Sequence, residues 1–171
     1  KIPKYLKNTT GEITSDIGNV YAQIQLVDDF NNDGIDDLLI EYNSTLVAPL
    51  ILYGQKSGTF KVLDVGKSNS NAARKTIRKA VSADFNNDGF LDIYGFTTGD
   101  HYQDKDVSEI DLLLINQNGN TFKAVDIPEP RKNTPNHGGF VIDINNDGYT
   151  DIVSLDEEEG FASYPLKNID G

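Results

Sequence analysis

The chain has 171 residues, of which 15 are Lys or Arg and 27 are Asp or Glu, for a formal charge of −12. That balance argues against a nucleic-acid partner, and no apolar run reaches the ~20 residues of a membrane span. The absence of cysteine leaves neither a disulfide framework nor a thiol nucleophile, while the length is enough to bury a sizeable core.

Lys1–Asn19 contains no acidic loop and reads as the end of a preceding unit or a linker, residues 1–19. A strand is expected over Val20–Val27, then the loop Asp29–Asp37, then a second strand in Asp37-Leu-Leu-Ile-Glu-Tyr42. Leu50-Ile-Leu-Tyr-Gly54 is the third strand and Thr59-Phe-Lys-Val62 the fourth. The pattern restarts at Ile77–Ala83, passes through the loop Asp84–Asp92 and Asp92-Ile-Tyr-Gly-Phe96, and continues in Leu112–Asn116 and Thr121–Ala124. A third round begins at Gly139–Ile142, with the loop Asp143–Asp151, Asp151-Ile-Val-Ser-Leu155 and a third strand within Phe161–Leu166; no fourth is expected. The second round is seven residues longer than the first, and the excess falls in Thr97–Glu109.

The three loops read DFNNDGIDD, DFNNDGFLD and DINNDGYTD, spaced by 55 and 59 residues. Each has Asp, Asn, Asp and Asp at its first, third, fifth and ninth positions, with Gly sixth. Alternate side chains of a tightly curled loop aim at a common centre, where three carboxylates and an amide oxygen would repel strongly without a hard cation. Ca²⁺ accepts such flexible all-oxygen coordination. The glycines Gly34, Gly89 and Gly148 free the backbone for the turn, and the seventh residues, Ile35, Phe90 and Tyr149, can offer only a carbonyl. Three Ca²⁺ would reduce the net charge to about −6, so much of the acidity is site chemistry. Asn-Asp-Gly alone is an ordinary surface turn; three copies with the same ligand types favour the metal.

A helical calcium hand opens its loop in the same way, but closes it with a bidentate Glu at the twelfth position. Here those positions hold Ile40, Gly95 and Ser154, and the segments that follow are strand-like. The loops therefore join two strands. The apolar second residues (Phe30, Phe85, Ile144) and the apolar seventh ones are expected to anchor both flanks of each loop against neighbouring layers. Four short antiparallel strands per unit describe a β-propeller blade.

On these residues the chain resembles the FG-GAP/VCBS repeat family, known from the integrin α-subunit propeller and from many secreted bacterial proteins. The likeness covers roughly Tyr21 to Leu166 and rests on the acidic loops in their strand–loop–strand setting; His137-Gly138 also resembles a dipeptide of bacterial members. The Phe-Gly-Gly-Ala-Pro stretch that names the family is absent. The resemblance implies calcium ligands at Asp29, Asn31, Asp33, the Ile35 carbonyl and Asp37. It implies a second set at Asp84, Asn86, Asp88, the Phe90 carbonyl and Asp92, and a third at Asp143, Asn145, Asp147, the Tyr149 carbonyl and Asp151. The expected fold is all-β: blades at 20–66, 72–127 and, incomplete, 134–171, forming a segment of a larger propeller, seven-bladed by analogy.

The remaining chemistry is sparse. His101 and His137 belong to no metal motif, and Asp156-Glu-Glu-Glu159 reads as a solvated turn. The basic pairs Arg74-Lys75 and Arg78-Lys79 read as surface partners for acidic neighbours. The sequons at Asn8 and Asn43 occur at the frequency expected by chance in an Asn-rich chain. The insertion from Thr97 to Asp106 carries Asp100, His101, Tyr102 and Gln103, which together could stack on a sugar. With no initiating Met or signal peptide, the chain reads as a piece of a longer protein. The expected function is a non-enzymatic calcium-binding module of an extracellular, cell-surface or periplasmic protein, mediating adhesion to a glycan or protein. Further blades from the same or another chain would close the ring. The alternatives are a non-catalytic part of a secreted polysaccharide-degrading enzyme and a building block of a surface filament.

Overall fold

Short apolar and β-branched runs bounded by Asn, Asp and Gly pair as strands because their alternation suits a pleat and not a helical face. The computed structural model describes residues 22–42, 48–68, 76–97, 111–127, 136–156, 163–166 and 168. The 1–19 segment, Arg74-Lys75, both sequons, the 98–110 insertion with His101 and Tyr102, residues 157–159 and the side chain of His137 lie outside them.

The first sheet runs β1 (Ala22–Asp28), β2 (Asp37–Tyr42), β3 (Leu50–Gly54), β4 (Phe60–Asp64), neighbours in that order, and is followed by one helical turn, α1 (Val65–Ser68). The second repeats the order with β5 (Ile77–Ala83), β6 (Asp92–Thr97), β7 (Leu112–Gln117) and β8 (Thr121–Asp126). The third holds β9 (Asn136–Ile142), β10 (Asp151–Asp156) and β11 (Ser163–Leu166), with β10 in the middle. Every pairing is antiparallel. The chain is all-β, and its sheets are blades of the propeller type that do not close into a ring. Successive first strands lie side by side, β1 against β5 and β5 against β9.

The expected strand positions hold closely, with small shifts at the ends. β9 begins at Asn136 and takes in His137-Gly138, and the fourth strand of the first blade begins at Phe60, not Thr59. Both β1 and β5 contain an irregularity in register, between Ile24 and Leu26 and between Ile77 and Lys79. A bulge breaks the two-residue alternation, which is why the adjacent Arg78 and Lys79 are both exposed.

Two apolar layers lie between the blades, the second of them bordered by a cleft. Between the first and second lie Phe30, Leu39, Ile51, Tyr53 and Val65 from one side, and Ile77, Ala80, Ile93, Leu112, Leu114 and Phe122 from the other. Between the second and third lie Ala83, Phe85, Tyr94, Phe96 and Ile152. In the first two blades the second loop residue packs in the layer toward the next blade along the chain. Phe30 and Phe85 are 0 % and 5 % exposed, and Phe96 is 0 %. In the third blade the matching Ile144 and Leu155 are 42 % and 48 % exposed. The expectation that all three second-position residues anchor against a neighbouring layer is thus corrected for Ile144: no fourth sheet stands against it among the described residues. Ser82 Oγ donates to the Asp28 carboxylate, tying β5 to β1. At the far end of the second blade, Asp111 accepts from Thr97 N (2.8 Å) and from Tyr94 Oη (2.9 Å), closing the base of the inserted segment. Among the described residues no helix is long and apolar enough to cross a membrane.

Candidate metal loops

Each acidic loop links the first two strands of its blade, and the hydrogen bonds that curl it recur from copy to copy. The first-position carboxylate accepts from two backbone N–H groups across the turn. Asp29 takes Asp33 N (3.1 Å) and Gly34 N (2.7 Å), Asp84 takes Asp88 N (3.0 Å) and Gly89 N (2.8 Å), and Asp143 takes Asp147 N (3.1 Å) and Gly148 N (2.9 Å). The fifth-position Asp accepts from the seventh residue's N–H, at 2.9 Å in all three loops. The third-position amide donates to the second oxygen of that Asp, at 3.3, 3.0 and 2.7 Å. Gly34, Gly89 and Gly148 have φ of 81°, 90° and 90°, which a side chain would oppose.

The ninth-position Asp plays a different part. Asp37, Asp92 and Asp151 are wholly buried. One oxygen accepts from the second residue of the loop, Phe30, Phe85 or Ile144, at 2.9–3.0 Å. The other accepts from the end of the third strand or just beyond it: Gly54 N at 2.7 Å, Asn116 N at 2.7 Å and Asn168 N at 2.8 Å. Each therefore staples three chain segments of its own blade. Burial pushes the Asp92 carboxyl up to about 6, against the pull of its two N–H partners, and the charges of Asp88 and Asp84 push the same way. Asp37 is raised for the same reasons, burial first, then Asp29 and Asp33.

Two further sets of residues belong to the loops and escaped the sequence reading. The fourth-position asparagines, Asn32, Asn87 and Asn146, take the left-handed conformation, with φ of 57°, 56° and 56°, which Asn tolerates better than most residues. Asn32 Nδ2 donates to Gly89 O of the second loop (2.8 Å), and Asn87 Nδ2 to Gly148 O of the third (3.3 Å), so consecutive loops are chained. Asn116 Nδ2 donates to Phe30 O (2.7 Å) and Asn168 Nδ2 to Phe85 O (2.6 Å), each bracing the preceding blade's loop. The signal for the first set was an identical Asn at position four of every copy. The partners of both sets lie 57 to 86 residues away, beyond the reach of any local pattern.

In the first two loops the first- and third-position side-chain oxygens share the N–H of the fifth residue. Among the described residues no group of three or more Asp, Glu or His stands gathered as a metal cage. The first, third and fifth side chains surround the loop's own N–H groups, and the ninth sits deeper, behind them. The donor set still fits a hard cation. It offers only oxygen, each carboxylate oxygen engaged by one N–H keeps a second lone pair, and the loop acids are close enough for their charges to raise Asp37 and Asp92. Asp29, Asn31, Asp33 and Asp37, with their counterparts in the other two loops, are the residues that would hold Ca²⁺. A bound Ca²⁺ would supply charge neutralisation, not reaction chemistry.

Beside the first loop, the β7–β8 turn of the second blade presses so close that a Cβ on Gly119 would lie 2.8 Å from Asn31 Cα. Tyr53 Oη is buried there without a hydrogen-bond partner, and burial, with Asp37's charge second, pushes its pKa up to about 12.

Antiparallel blades stacked through repeated acidic loops define a β-propeller-type repeat module. Residues 29–95, from the first loop through the second, match the family model described as FG-GAP-like repeat. The third loop, outside the match, repeats the same hydrogen bonds. No curated protein matches the chain.

Proposed function

We propose that this chain is a calcium-stabilised β-propeller module of an exported or cell-surface protein, non-enzymatic, serving adhesion to a glycan or extracellular protein. The observation that carries the calcium reading is the threefold recurrence of one all-oxygen loop, with its own N–H groups holding the acids in close company. Calcium's part is structural, since each loop joins two strands of one blade and its acids repel when unneutralised. Extracellular calcium modules bind at about 10⁻⁴–10⁻³ M, which suits sites that fill outside the cell and empty inside it. Further blades, from this polypeptide or another, complete the ring. The adhesive role rests on the class of repeat, and the insertion from Thr97 to Asp106 is the first segment to examine for recognition.

Calorimetric titration of the metal-free chain with CaCl₂ is expected to give three sites in the sub-millimolar to millimolar range. Excess EGTA should lower Tm by more than about 10 °C, because a site at ~100 times its Kd adds about 2.7 kcal/mol. An unchanged melt, with no heat of binding at millimolar Ca²⁺, would remove calcium from the reading while leaving the blades intact.

A further inference from the structure

Each loop has its freest backbone at the sixth residue. Gly34, Gly89 and Gly148 have no side chain, and nothing lies within 4 Å of where a Cβ would stand, so neither limits rotation of the peptide that follows. That peptide is planar, and in two loops its ends are held from two different blades. In the second loop, Phe90 N–H donates to Asp88 of the same loop at 2.9 Å, while Gly89 O accepts from Asn32 Nδ2 of the first blade at 2.8 Å. In the third, Tyr149 N–H donates to Asp147 at 2.9 Å, and Gly148 O accepts from Asn87 Nδ2 of the second blade at 3.3 Å. The next carbonyl along belongs to Phe90 or Tyr149, the one oxygen the seventh position has to offer. The bonds that curl the first loop run among Asp29, Asn31, Asp33 and backbone N–H groups, so the Asn32 amide is spent on the neighbouring blade.

We infer that Asn32 and Asn87 are positioning residues for the calcium loop of the following blade, fixing the Gly89–Phe90 and Gly148–Tyr149 peptides so that the seventh-position carbonyl is presented in advance. The inference rests on the calcium reading of the loops. Without the brace, rotation at the glycine can turn the peptide over, which withdraws Phe90 N–H from Asp88 and re-aims the carbonyl that follows. Affinity falls because the loop must then be ordered at the moment of binding. The donor is held ready by its own backbone: Asn32 and Asn87 lie at φ of 57° and 56°, a conformation Asn visits at little cost. A neutral amide also approaches a loop of acids without repulsion. The influence runs forward along the chain, so the affinity of one blade's site depends on a side chain of the blade before it. The second bond is the longer, so its effect is the smaller.

The test replaces each Asn by Gly, which takes the same left-handed backbone without strain and removes the amide. Each loop carries its own reporter, since Gly34, Gly89 and Gly148 N–H donate to Asp29, Asp84 and Asp143. The metal-free intact chain is titrated with CaCl₂ while heteronuclear NMR follows these amides. In Asn32→Gly the Gly89 midpoint should move to roughly three- to tenfold higher Ca²⁺, the effect of one hydrogen bond, with the Gly148 midpoint in place. In Asn87→Gly the Gly148 midpoint should move by a smaller factor, with Gly34 in place. A shift confined to the substituted loop's own glycine would reduce the Asn to a turn former, and an equal shift of all reporters would mean a general loss of stability; either overturns the inference. Midpoints that both variants leave unmoved overturn it too, while the calcium reading stands. Reporters of the unsubstituted chain that ignore millimolar Ca²⁺ would remove the calcium reading and this inference together.

Discussion

At the junction of the first two blades, the ring of Phe30 meets Phe122 and the layer is closed; at the second junction the corresponding Phe85 borders an open cleft. The polar framework does not share this difference. Asp92 and Asp151 each clamp a loop to its third strand, and Asn116 and Asn168 each brace the loop of the blade before, with near-equal distances. The clamps join each loop to its third strand or just beyond it, while the first junction's apolar layer also draws Phe122 and Ala124 from the fourth strand of the second blade.

The comparison is broken most forcefully at the second loop position. Phe30→Ala removes a fully buried ring and is expected to cost about 3–5 kcal/mol, while Ile144→Ala, at the equivalent but exposed site, should change stability by less than about 0.5 kcal/mol. Urea denaturation of the two variants decides the matter, and similar losses would mean that Ile144 is covered in solution. Next comes the clamp. Asp92→Ala leaves Phe85 N and Asn116 N buried without an acceptor, a loss of about 2–4 kcal/mol, to be measured in EGTA so that metal binding does not contribute. A smaller effect separates Asn32 from Asn146. Both variants to Ala give up a left-handed residue, but only Asn32→Ala also loses the bond to Gly89. It should therefore be the less stable by about 1 kcal/mol.

A further effect is a slope with pH. The folded Asp92 carboxyl is raised to about 6, chiefly by burial, above an unfolded value of about 4. Its contribution to folding is complete below the unfolded value and is lost as pH rises through the folded one. Between those limits the metal-free protein should lose stability relative to Asp92→Ala as pH rises, read from urea midpoints in EGTA. A parallel pair of pH profiles would count against a protonated Asp92 in the fold.

Much of the fold was legible because the repeat wrote it three times. β3 and β5 fall on the expected residues, and the seven-residue excess of the second blade lies between β6 and β7, where the spacing put it. The loops were legible as loops: their glycines, first-position acids and apolar second residues follow from turn chemistry over nine positions. Their internal division of labour was not. Nothing within Asp29–Asp37 says that Asp37 reaches Gly54 while Asp29 stays with Asp33 and Gly34. Nor does Asn116, at the end of an apolar strand, reveal that its amide crosses to Phe30 in another blade. Ile144 misled because its neighbours in sequence match those of Phe30 and Phe85, while the layer that would cover it does not stand among the described residues.

By itself the sequence determined the unit: where strands start and stop, where the chain turns, and which loop positions carry oxygen-bearing side chains, since these depend on residues a few positions apart. Tertiary structure alone decided which Asp is a buried clamp, how one loop is chained to the next, and which of two equal apolar faces is sealed. Those outcomes depend on what another blade brings to the same place, and a surface counts as core only when something packs on it.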